Sequence, residues 1–247
     1  MKESDFYRLL EDSFRKNGLE RFLRPEIEQL FFAFTELLTQ ANAEQNLTAI
    51  RDLPGIVCRH YVDCLLGEDL IPTGSAVLDV GCGGGFPTFP LAIARKDLRI
   101  TAIDSTQKKV AFVEKTAKTL GLLQIETVCG RMEEEGFRKY RAKFDVVTAR
   151  AVANLRVLSE LTLPFVQIGG IFLAMKGSQG ETEREEATAA IEKLGGKVEK
   201  TLRRELICVG PDGKEERESR TLIAVRKTRQ TPEKYPRPYA SIKKGFS

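Results

Sequence analysis

VLDVGCGGGFPTFPLAIA, residues 77–94, places a short apolar run ahead of four glycines, Gly81, Gly83, Gly84 and Gly85, with a second apolar run behind them. Glycine is needed where the backbone takes a positive φ or must come close to a ligand. Gly81-x-Gly83-x-Gly85 between a strand and a helix makes such a turn at the carboxyl edge of a parallel sheet, where ligands bind. The plain alternative is a tight strand-to-helix turn that holds nothing.

The chain on either side fits a sheet. Runs with strand character are expected at Ala76–Val80, Arg99–Asp104, Ile125–Cys129, Phe144–Thr148 and Gly170–Met175, with helices between them. The clearest helix is QKKVAFVEKTAKTL (107–120), capped by Thr106 and stopped at Gly121. The charge-rich ETEREEATAAIEK (181–193) reads as a helix with a solvated face. Two further strands, near 197–208 and 220–226, flank a turn containing Pro211-Asp212-Gly213, a hairpin signal. Strand–helix alternation followed by a hairpin predicts an α/β fold, a Rossmann-like sheet that is mostly parallel and ends in an antiparallel pair. Upstream, apolar residues in PEIEQLFFAFTELL recur at helical spacing, and Pro25 suits a first helical turn. Pro54-Gly55 predicts a loop or turn over 46–57. The chain therefore divides into a helical N-terminal extension (1–72), a sheet domain (73–227) and a tail (228–247).

Two ligands compete for the glycine turn: a dinucleotide and S-adenosylmethionine. Both want an acid at the end of the second strand for a ribose, and Asp104 in TAIDST could accept both ribose hydroxyl protons. A dinucleotide wants a third glycine where Phe86 stands and a free helix N-terminus for its pyrophosphate. Phe86-Pro87 fills that place with bulk and removes an N–H. Asp79 would repel a pyrophosphate but suits a cationic sulfonium amino acid. These points favour S-adenosylmethionine.

Composition narrows the setting. The 247 residues carry a net charge of +4, and the excess basicity sits at the end: seven Lys or Arg and one acid from Arg226 to Ser247. With Tyr235, Tyr239 and Phe246, that tail could hold phosphates and stack on bases, although alone it reads as a solvated end. The N-terminus lacks the apolar core of a signal peptide, and no run is long enough to span a membrane. The five cysteines, Cys58, Cys64, Cys82, Cys129 and Cys208, contain no C-x-x-C pair. They argue against a zinc site or a disulfide framework, and for the cytoplasm. No metal is expected.

Several segments together resemble one family, the bacterial 16S rRNA guanine-N7 methyltransferases, also called glucose-inhibited division protein B. They are NLTAIRD (46–52), RHYVDCL (59–65), LDVGCGGGFP (78–87), PLAI (90–93), IDSTQKKVAFV (103–113), GRMEE (130–134), TARAVANL (148–155) and MKG (175–177). They run in the family's order over roughly residues 26–227, and YPRP (235–238) resembles its C-terminal extension. The sequence departs from the family at Thr88 and Phe89, where Gly and Ile are usual, at Cys64, where Ser is usual, and in the ending YASIKKGFS.

The resemblance implies a class I S-adenosylmethionine-dependent methyltransferase fold and methyl transfer to N7 of a guanine in the decoding-region loop of 16S rRNA. It implies a donor pocket that includes Gly81 and Phe86, a ribose site at Asp104, Ser105 and Thr106, and an adenine site at Met132 and Glu133. Arg150 would sit at the mouth, near the methionine end and the target base. Arg131 and Lys176 would hold phosphate or the base O6 beside it. Asn46, His60 and Asp63 would lie on the substrate side. His60, the sole histidine, is not expected to be a base, because N7 carries no proton. The absence of N-P-P-Y or D-P-P-Y after the fourth strand argues against an exocyclic amine as target. N7 lies on the major-groove edge, which is inaccessible in an RNA duplex, so the partner is expected to be 16S rRNA or the small-subunit particle with the target in a loop or opened helix. A monomer is expected. Two other readings stay open: a methyltransferase for a small molecule or protein, and an RNA-binding assembly factor with a vestigial pocket.

Overall fold

The computed structural model describes residues 2–150, 152–210 and 213–245. Seven strands form one sheet: β1 (Ala76–Val80), β2 (Arg99–Asp104), β3 (Ile125–Cys129), β4 (Phe144–Arg150), β5 (Val166–Lys176), β6 (Gly196–Val209) and β7 (Glu215–Lys227). Their order is β3-β2-β1-β4-β5-β7-β6. The first five pair in parallel, and β7 pairs antiparallel with both β5 and β6. The strand order reverses direction between β1 and β4, so the crevice for a ligand opens above the glycine turn that follows β1.

Side chains alternate across the sheet with the period of two that a strand imposes. Val77, Ile100, Ala102, Val146 and Leu173 face one apolar cluster, and Leu78, Ile103, Val147, Phe172 and Ala174 face another. The first cluster is covered by α1 (Glu3–Lys16), α2 (Pro25–Gln45), α4 (Thr88–Ala94) and α5 (Gln107–Thr119). The second is covered by α6 (Leu155–Thr162) and α7 (Gly180–Lys193). Phe34 of α2 lies 4.4 Å, ring centre to ring centre, from Phe89 of α4. The N-terminal helices thus share a core with the sheet.

Three expectations need correction. The stretch around Pro54-Gly55 is not a loop throughout. Asp52 caps Gly55 N–H at 2.7 Å and starts a continuous helical segment over 53–65, here called α3. Its middle, Ile56–Val62, is π-helical, a form that often marks functional positions. Pro54 is tolerated because it falls in the first turn, where its missing N–H has no helical partner to lose. The cysteines are not all free either: Cys58 of α3 and Cys208 of β6 form a disulfide. No local spacing signals a pair 150 residues apart, and the two meet only because the hairpin folds back over α3.

The tail, finally, is docked rather than solvated. Lys227 Nζ donates to Leu163 O at 2.6 Å where the tail leaves β7. Arg237 donates to both carboxylate oxygens of the buried Glu160 on α6, at 2.9 and 2.7 Å. Tyr235 and Ile242 join the second apolar cluster, and the chain closes with α8 (Tyr239–Lys244). Burying these two side chains removes apolar surface worth a few kcal/mol, roughly, which local composition does not reveal. Phe246 and the turn residues Pro211 and Asp212 lie outside the described residues.

Candidate active site

The glycine turn takes its shape from β2. Gly81 and Cys82 donate their N–H groups to Ile103 O at 2.8 and 2.9 Å, folding the chain over the strand end. Gly81, Gly83 and Gly85 all have positive φ, a region that side-chain-bearing residues enter at a cost. At Gly81 a Cβ would also lie 2.6 Å from Val152 Cγ2, and at Gly85 it would lie 2.2 Å from the Phe89 ring. Only the first of these two crowded glycines borders the cleft; Gly85 serves packing against α4.

The cleft above the turn encloses about 490 Å³. Gly81, Gly83, Phe86, Asp104, Ser105, Thr106, Arg131, Met132, Glu133 and Arg150 all border it, as does His60. Asp104 ends β2 with one oxygen accepting Gly83 N–H at 3.0 Å and the other accepting Thr106 N–H at 2.8 Å. Two backbone donors fix the carboxylate, and each oxygen keeps capacity for a further acceptor bond. That geometry suits a ribose diol. Met132 is buried, Glu133 is mostly buried, and together they offer an apolar surface and an acceptor. The chain can therefore hold S-adenosylmethionine: Asp104 at the ribose, Met132 and Glu133 at the adenine, and the open backbone of Gly83 beneath.

Arg150, at the end of β4, is held from three sides. Its Nη1 donates to Asp63 Oδ2 at 2.5 Å and to Arg59 O at 3.0 Å, and its Nη2 donates to His60 Nδ1 at 2.9 Å. Because a guanidinium only donates, Nδ1 is the acceptor nitrogen. Nε2 then carries the proton and donates to Thr48 Oγ1 at 2.7 Å. The imidazole stacks on Phe86, with ring centres 4.1 Å apart. Burial, and then the Arg150 charge, push the His60 pKa down to about 3, so the ring is neutral. His60 and Asp63 both act on Arg150, one as acceptor through Nδ1 and the other through Oδ2. The other Asp63 oxygen accepts from Arg220 Nε at 2.7 Å, tying α3 to β7.

Besides Asp63, which meets the cleft only through Arg150, four expected site residues lie elsewhere. Lys176 is not at the mouth. Its ammonium donates to Ala153 O at 2.8 Å and pairs with Glu183 at 2.7 Å, beside a separate cavity of about 350 Å³ that also borders Arg150 and Asp63. Asn46 is off the cleft: it terminates α2 with φ 51°, and its side chain accepts from Arg51. Asp79 lies beneath the turn, fully buried, accepting from Thr88 Oγ1 at 2.5 Å while its Oδ1 has no hydrogen-bond partner. Gly85 is the fourth, as described above.

Conversely, Thr48, Lys109, Val152, Leu161 and Tyr239 border the cleft without having been singled out for it. Thr48 sits two residues after Asn46 in the same NLTAIRD segment, where spacing alone does not separate the two. Arg220 lies in EERESR, where charge density hides any single residue.

A reversed-order parallel sheet with a terminal hairpin, a glycine turn and a ribose-type acid at the end of the second strand define a class I S-adenosylmethionine-dependent methyltransferase. Solved structures agree at the level of fold. The chain superposes on precorrin-6y C5,15-methyltransferase from Geobacter metallireducens with a TM-score of 0.51 at 13% identity, covering 74% of this chain and 92% of that one. It superposes on the [4+2]-cyclase SpnF with a TM-score of 0.52 at 17% identity, covering 81% and 95%. Sequence is more specific. The model of the GidB family, described as rRNA small subunit methyltransferase G, matches residues 27–205, and the chain belongs to this family. It is 42% identical to the ribosomal RNA small subunit methyltransferase G of Lactobacillus acidophilus over 85% of this chain and 87% of that one. It is 37% identical to the protein of that name from Clostridium botulinum over 97% and 98%.

Proposed function

We propose that this protein methylates N7 of a guanine in the decoding-region loop of 16S rRNA, with S-adenosylmethionine as donor. Family membership supports the class of substrate. One observation on the site supports the atom: both nitrogens of the only histidine are engaged, Nδ1 by Arg150 and Nε2 by Thr48, so this ring has no free lone pair to act as a base. Guanine N7 needs none, because its own lone pair is available.

Bound in the cleft, the donor supplies a methyl group on a sulfonium centre, open to in-line displacement. The protein's part is alignment and electrostatics. Asp104 orients the ribose, Phe86 and the neutral His60 present a flat face, and Arg150 is locked by Asp63 near the transfer end. A guanidinium fixed there can hold the O6 of a guanine or a phosphate. Arg131 and Lys109, both bordering the cleft, are the cations available to the RNA backbone. Lys176 acts in this reading through the Glu183 pair, supporting the loop after β4 rather than touching substrate. The expected setting is the cytoplasm, on the small-subunit particle.

The test is methyl transfer from labelled donor to small-subunit particles isolated from cells lacking this modification. The wild-type protein labels the 16S RNA, and Asp104→Ala lowers donor affinity by more than tenfold. Donor binding without label in that RNA would overturn the substrate, and unchanged affinity in Asp104→Ala would overturn the donor site.

A further inference from the structure

The C-terminal tail reaches a place that its composition does not announce. Tyr239, the first residue of α8, borders the donor cleft together with Leu161 and Met132. It packs half-buried against the apolar cluster that holds both of those residues. Phe86, at the transfer end, belongs to the opposite cluster. The ring thus shares its cluster with Met132, one of the two residues assigned to the adenine.

Its position is built rather than incidental. Ile242, one turn on, is buried, and Arg156 of α6 donates to Ile242 O and Lys243 O, both at 3.2 Å. Upstream, Arg237 grips Glu160 through side chain and backbone N–H. Lys243 Nζ lies 4.9 Å from the Tyr239 ring centre, covering part of the ring and adding positive charge beside it. An aromatic side chain held at the edge of a purine-sized site offers a face for stacking.

We propose that Tyr239 binds the adenosine end of the methyl donor, so that the docked tail forms one wall of the donor site. The proposal rests on the cleft being the donor site. A tail that leaves its dock would then release the donor, and RNA that engages the tail lysines would be felt in donor affinity.

The test titrates S-adenosylmethionine and S-adenosylhomocysteine into the full-length protein without RNA. Wild type is compared with Tyr239→Phe, Tyr239→Leu and Tyr239→Ala, with thermal unfolding run on each. Tyr239→Phe keeps the aromatic face and is expected to bind within twofold of wild type. Tyr239→Leu keeps apolar packing but loses the face, and is expected to bind about tenfold more weakly, as loss of one stacking contact does. Tyr239→Ala should lose at least as much. The chain has no tryptophan, so tyrosine fluorescence is readable, and the quench on donor binding should shrink in Tyr239→Leu. Donor affinity within twofold of wild type in folded Tyr239→Leu overturns the proposal. So does a defect seen only in KM for the small-subunit particle, which would place the ring against the target base. Failure of the wild-type protein itself to bind the donor would instead overturn the reading of the cleft.

Discussion

Asp79 shows how one residue can be readable in kind and misjudged in place. Its position before the glycine turn suggested a charge facing a cationic ligand, yet the strand buries it beneath the turn. Burial lifts its pKa from 3.8 to about 7, with the Thr88 hydrogen bond opposing the rise. Between those values the folded protein holds a proton that the unfolded chain has released. The stability this provides is full below pH 3.8 and is lost as pH rises through about 7. Asp79→Asn removes that titration while keeping an acceptor for Thr88. Its stability relative to wild type should therefore improve between pH 5 and pH 9, by about 3 kcal/mol. Urea unfolding across that range measures it, and a pH-independent difference would contradict the assignment. His60 belongs to the same scale. That it stays neutral could not be read from RHYVDCL, because the causes are its burial in the folded chain and then the charge of Arg150, ninety residues away in sequence.

Among the elements, the strands of the parallel sheet and helix α5 were legible because apolar periodicity and glycine breaks are local signals. What was not legible depended on long-range contacts. The helical α3 runs through Pro54-Gly55 because Asp52 caps it and its buried face packs on the hairpin. The tail reads as a charged end, yet its Arg237 completes a buried Glu160 that lies on an ordinary-looking helix. Arg237→Ala would leave that carboxylate buried without its guanidinium. Breaking a buried pair from one side costs about 3–5 kcal/mol, and urea denaturation should show a loss of that order. A change below 1 kcal/mol would mean that the dock contributes little. The glycines divide in the same way: sequence groups Gly81 and Gly85 in one motif, whereas a Cβ at Gly81 would strike Val152 beside the cleft and one at Gly85 would strike Phe89 in the core.

For the whole molecule, fold class and the family were visible from the order of the motifs, and most of the donor-side residues named from them do border one cleft. The RNA side was less visible, since a lysine that pairs internally, such as Lys176, looks in sequence like one that meets phosphate. Lys109 is the sharper test of RNA contact because it borders the cleft. Lys109→Ala should weaken small-subunit RNA binding and reduce the slope of log affinity against log salt by about one. An unchanged slope would remove Lys109 from the RNA path. The central claim, methyl transfer to guanine N7, is tested most directly by the product. Small-subunit particles lacking the modification are treated with the protein and methyl-labelled S-adenosylmethionine, the 16S RNA is digested, and the labelled nucleoside is identified. The expected labelled nucleoside is 7-methylguanosine and no other; label on any other base or atom would contradict transfer to N7.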